Sequence, residues 1–130
     1  MKKLVALTPI MAMLCACALA VGAAGVSGAL GYRWYKGELH ISYAKEFPSV
    51  WKATKKALRD LHIRILHEES DPVEGYIKGV TQLGKKVRVK GAFDGRLTRL
   101  RIRVGLLGDK DYALAIKYKI DYFLKRENQR

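Results

Sequence analysis

KKVRVKGAFDGRLTRLRIRV, residues 85–104, is the stretch whose reading decides the fold. Lys85 to Phe93 and Arg96 to Val104 each alternate with period two, as strands with one buried face do. Between them Asp94-Gly95 is the strongest short hairpin signal in the sequence. Taken as a two-residue turn, it sets Phe93 opposite Arg96. Val89 then faces Leu100 and Val87 faces Ile102, while on the other side Lys90 faces Arg99, Arg88 faces Arg101 and Lys86 faces Arg103. Both faces come out chemically consistent, which supports the register. Three like-charged pairs then stand directly opposite one another, an arrangement that weakens a sheet.

Working outward from this hairpin, Gly75 to Thr81 reads as a preceding strand, turning near Leu83-Gly84, and Ile63 to Glu68 as one before it, turning at Asp71-Pro72. Gly37 to Tyr43 alternates and reads as the first strand. Pro48 suits the first turn of a helix. Phe47, Val50, Trp51, Thr54, Ala57, Leu58 and Leu61 recur at helical spacing, with Lys52, Lys55, Lys56 and Arg59 on the opposite side. After the hairpin, Asp109 can cap a last helix with Tyr112, Ile116, Ile120, Phe123 and Leu124 on its apolar face. Lys125, Arg126 and Arg130 near its end complement the helix dipole. The order β-α-β-β-β-β-α predicts an α+β two-layer sandwich: an antiparallel sheet with two helices packed on one face.

The N-terminal segment is of another kind. Lys2 and Lys3 precede an apolar stretch, Leu4 to Leu14, of signal-peptide length. Leu14-Cys15-Ala16-Cys17 resembles the lipobox of bacterial lipoproteins, which places cleavage before Cys17 and acyl chains on it. Cys15 fits worse, because Leu14 would then occupy the position before the cut. The uncharged run Leu4–Leu30 is also long enough to span a bilayer, but Gly22, Gly25, Ser27, Gly28 and Gly31 make its second half a poor helix. The expected organisation is a signal peptide over 1–16, a lipidated Gly/Ala-rich tether over 17–36 and one domain over 37–130. Ala18, rather than Asp, follows the lipid site; by resemblance to enterobacterial sorting this favours the outer membrane, with the domain facing the periplasm.

The lipobox, the Gly-rich tether, Lys36-Gly37-Glu38-Leu39, Val50-Trp51-Lys52-Ala53-Thr54 and Ile102-Arg103-Val104-Gly105 through Gly108-Asp109 together resemble a family of small bacterial lipoproteins known as domain of unknown function thirty-five sixty-eight. The resemblance implies compartment and fold, and no activity. At the level of element order alone, the domain also resembles the helix-grip domains of outer-membrane assembly lipoproteins.

Both cysteines lie in the first twenty residues, so the fold carries no thiol catalyst and no cysteine metal site. His40, His62 and His67 sit apart, with His62 and His67 of opposite parity on one strand, and read as surface residues. Every acidic residue has a turn, a helix start or a solvated position. Gly105 and Gly108 match no nucleotide-binding spacing. No enzyme, cofactor, metal or small-molecule substrate is therefore expected. The charge is the informative feature: the chain carries +13, and losing Lys2 and Lys3 with the leader leaves 23 basic against 12 acidic residues. Lys86, Arg88, Lys90, Arg99, Arg101 and Arg103 form the candidate anion-binding face. A solvated face with splayed side chains is the plainer account. The functional account is a binding or scaffolding module meeting an anionic lipid or an acidic envelope protein. Nucleic acid is disfavoured, because no aromatics interleave with the hairpin's basic residues. The alternative is a single-pass membrane protein, or a structural envelope subunit whose helices pair with another chain and whose sheet charge is incidental. Arg103 could also be held structurally, with Asp109 its expected partner.

Overall fold

The computed structural model describes residues 29–129. Cys15 and Cys17, the leader and most of the tether lie outside them. Six strands, β1 (Gly31–Tyr35), β2 (Glu38–Tyr43), β3 (Arg64–Ser70), β4 (Glu74–Val80), β5 (Lys86–Phe93) and β6 (Thr98–Val104), form one sheet. All neighbours are antiparallel, in the order β1-β2-β6-β5-β4-β3. The helices α1 (Phe47–Asp60) and α2 (Lys110–Asn128) cover one face and pack on each other. Among the described residues no helix is long and apolar enough to cross a membrane. The α+β sandwich is as expected, with one strand more.

That strand is β1, which falls within the expected tether over 17–36. Tyr32, Trp34 and Tyr35 are strand-favouring residues. Lys36 and Gly37 both have positive φ, 50° and 77°, the requirement of a tight hairpin turn whose twist suits the strands. The sheet therefore begins at Gly31, not at residue 37.

The second correction is the hairpin register. Phe93 pairs with Thr98, Val89 with Ile102 and Val87 with Val104. The connection is four residues, Asp94 to Leu97, because the Asp94 carboxylate accepts the backbone N–H groups of Arg96 and Leu97 at 2.9 and 2.8 Å. Of the two turn residues only Gly95 has positive φ, whereas a two-residue type I′ turn needs it at both. A two-residue slip preserves parity, so both faces keep their predicted residues.

The core forms where the helix stripes meet the aliphatic side of the sheet. Phe47, Val50, Trp51, Ala57 and Leu58 of α1 and Ile116, Ile120 and Leu124 of α2 are buried against Leu39, Ile41, Val87, Val89, Leu100 and Ile102. Phe47 and Trp51 stack at 5.0 Å and 25° over the cross-strand pair Gly75–Gly91. A Cβ at Gly75 would lie 2.7 Å from the Trp51 ring, and one at Gly91 2.8 Å from Leu100. The glycines thus form the floor on which α1 sits. Asp109 caps α2 as expected, accepting from the Tyr112 N–H at 3.1 Å. Lys117 is buried as well, its ammonium 2.8 Å from Asp121, which also accepts from the Tyr43 hydroxyl at 2.8 Å. Burial is the main cause that pushes the Tyr43 phenol far above its usual range, with the Asp121 charge adding to it.

Candidate binding face

The uncovered face of the sheet carries the side chains that alternate with the core residues. Lys86, Arg88, Lys90, Arg99 and Arg101 are exposed there, and Arg103 is half-buried. The observed register orders them into transverse rows about 4.8 Å apart per strand. One row runs Arg103–Arg88–Lys78–His67 across β6, β5, β4 and β3. The other runs Arg33–His40–Arg101–Lys90–Tyr76–Glu69 across all six strands. The expected like-charged pairs Lys90–Arg99, Arg88–Arg101 and Lys86–Arg103 are therefore replaced by two, Arg88–Arg103 and Lys90–Arg101, while Arg99 faces Ala92.

The six expected residues are not equivalent. Arg99 reaches Asp94 at 3.3 Å. Arg103 donates to the Leu106 carbonyl at 2.7 Å and the Lys36 carbonyl at 3.3 Å, with Glu38 3.9 Å away. It has a structural role, but Asp109 is not its partner. Asp109 instead holds Lys85 at 2.8 Å. Lys86, Arg88, Lys90 and Arg101 make no ion pair among the described residues. Neither do Arg33 and Lys78, which join this face from β1 and β4. Sequence reasoning places neither on the face: Arg33 because its strand is not recognised, Lys78 because, although it belongs to the basic run Ile77–Val104, only the hairpin turn fixes a register.

The face lines an open trough of about 1480 Å³. Its acids stand at the margins: Glu69, Asp71 and Glu74 on the β3–β4 side, and Glu38 beside Arg103. Asp71 is occupied by the backbone N–H groups of Val73 and Glu74, both at 2.8 Å. Aromatic rings flank the cations at both sides. Arg33 lies 5.4 Å from the Tyr35 ring centroid and Lys90 5.8 Å from that of Tyr76. The β5–β6 hairpin bears no aromatic between its cations, yet the assembled sheet brings the Tyr76 ring to one of them, Lys90.

The remaining candidates disperse. His62 has φ 59° and lies in the turn after α1, not on a strand; His67 pairs with Glu69 at 2.9 Å; His40 lies in the cationic row. Among the described residues no three of His, Cys, Asp and Glu gather to hold a metal. Glu68 turns to the helix side, accepting from the Trp51 indole at 2.9 Å with Lys55 at 3.3 Å. Partial burial opposes its ionisation, but these donors outweigh it and lower the carboxyl. The Leu97 and Arg96 amides hold Asp94 below the usual carboxylate range, and Lys85 with the Tyr112 amide does so for Asp109.

No curated protein matches the chain. Residues 1–122 match the family described as Protein of unknown function (DUF3568). The match runs from the N-terminal segment to the middle of α2, and the chain belongs to this family.

Proposed function

We propose that the chain is a lipoprotein of the bacterial cell envelope, acylated at Cys17, whose sheet face binds an anionic partner without catalysis. The observation that supports it is the stripe of cations without an ion-pair partner among the described residues, Arg33, Lys78, Arg88, Lys90 and Arg101, facing outward while the carboxylates stand at its margins. Like charges placed directly opposite cost a sheet stability. A phosphate or carboxylate partner spread over the stripe offsets that cost and adds charge-assisted hydrogen bonds from three guanidinium groups.

The test places a photo-reactive phenylalanine at Ser42, on the same face beside Arg99, in the full chain in intact envelopes. Crosslinked adducts are expected in the wild type and lost when Arg88, Lys90 and Arg101 are changed to Glu. Adducts that survive the charge reversal overturn the binding role. Fatty-acid labelling that persists in Cys17→Ala overturns the anchoring role.

A further inference from the structure

Three turns meet at one end of the sheet: Lys36-Gly37, Thr81 to Lys85 and Gly105 to Asp109. They are stitched together. The Gly105 N–H donates to the Lys86 carbonyl at 2.7 Å, and Lys85 reaches Asp109. Arg103 binds carbonyls of both the Lys36 turn and the Leu106 loop. Gly108, with φ 85°, packs so closely that a Cβ there would lie 2.5 Å from the Gly37 carbonyl oxygen. This framework holds three leucines outward. Leu83, Leu106 and Leu107 are 86%, 87% and 91% exposed, the three most exposed large hydrophobic residues of the described chain. Single exposed leucines are ordinary, but a cluster at one tip marks a contact surface. Lys36, Lys86 and Lys110, all exposed, lie in or next to these turns and make no ion pair among the described residues; beside them Asp111 is an exposed acid, and Asp109 is held by Lys85.

We infer that this end of the sheet is a bilayer-docking tip: Leu83, Leu106 and Leu107 enter the interface of an anionic membrane while the three lysines meet lipid phosphates. Apolar residues at the centre and cations at the rim match the depth profile of such an interface, hydrocarbon below and anionic headgroups above. An acidic protein would also meet the lysines. A bilayer additionally accommodates three leucines on separate loops without a matching pocket. The tip shares only Lys86 with the open face and none of the stripe proposed above, and its orientation rests on the anchoring reading in one respect: the twelve residue steps from Cys17 to Ala29 reach at most about 40 Å. This exceeds the length of β5, about 27 Å for eight residues, so an anchored chain can set its tip on the same bilayer.

The experiment uses the full chain reconstituted in phosphatidylcholine vesicles with about 30% phosphatidylglycerol, which gives the surface the negative potential that attracts basic segments, and with acyl chains brominated at mid-depth. Quenching of Leu107→Trp is compared with that of Val73→Trp, at an exposed position in the turn at the other end of the sheet. The wild-type signal of Trp34 and Trp51 is subtracted. Leu107→Trp is expected to be quenched at least about twofold more, with the excess falling about fivefold for each of Lys86→Ala and Lys110→Ala (about 1 kcal/mol each). Quenching equal to that of Val73→Trp overturns the inference, as does an excess that ignores lipid charge or a signal that depends only on protein concentration, which marks self-association. Arg88, Lys90 and Arg101 changed to Glu should leave the quenching in place while abolishing the Ser42 crosslinks, so the two readings fail separately.

Discussion

The two faces of the sheet are written by the same twenty residues and obey opposite rules. On the helix side, Val87, Val89, Leu100 and Ile102 are fully buried and every position is constrained by packing. On the open side, Arg88, Lys90 and Arg101 make no ion pair among the described residues and stand opposite like charges. One face is optimised for stability. The other gives some stability up, which is the pattern of a surface kept for contact.

The sharpest break in that comparison is between adjacent residues. Ile102→Ala should cost about 2–5 kcal/mol by opening a core cavity, whereas Arg101→Ala should stay within about 0.5 kcal/mol, both read from thermal unfolding of the detergent-solubilised full chain. If the two destabilise equally, the faces are not distinct. Gly75→Ala should follow at about 1–3 kcal/mol, because its Cβ overpacks the Trp51 ring; a neutral result would mean that α1 shifts freely on its glycine floor. Asp109→Ala removes the α2 cap and should cost about 1 kcal/mol, with rescue by Asn expected. Lys90→Glu should move the other way, gaining about 0.2–1 kcal/mol from a Glu–Arg101 pair. Added salt should narrow that gain by screening.

The smallest effect concerns pH. Asp94 and Asp109 are both held below the usual carboxylate range in the fold. As pH falls through about 4, the unfolded chain therefore takes up protons before the folded one. The contribution of these groups is full above that pH and is lost as pH falls through their lower folded values. An Asp94→Asn variant should accordingly lose stability less steeply under acid than the wild type, as read from acid-unfolding midpoints.

Most of the fold was legible because its signals are local. Period-two alternation identified the strands and their faces, and helical spacing gave both helix stripes. What failed was set by contacts that alternation cannot express. The β5–β6 pairing moved by two residues because one side chain, Asp94, captured two amides and lengthened the turn; parity survived, partners did not. β1 was missed because its residues follow a Gly/Ala-rich run and because Lys36-Gly37 lacks the Asn or Asp that marks a two-residue hairpin turn, although both residues adopt the positive φ such a turn needs.

The candidate site divides in the same way. The sequence by itself determined that β5 and β6 would show cations on one face and aliphatics on the other, because alternation is a property of the extended backbone. Only the tertiary structure decided which cations lack an ion-pair partner among the described residues. Long-range pairing brought Arg33 and Lys78 into the rows, tied Arg103 to the Lys36 and Leu106 carbonyls, and gave Lys85, not Arg103, to Asp109. It also gathered Leu83, Leu106 and Leu107 at one tip, since nothing in a one-dimensional pattern records which turns of a sheet share an end.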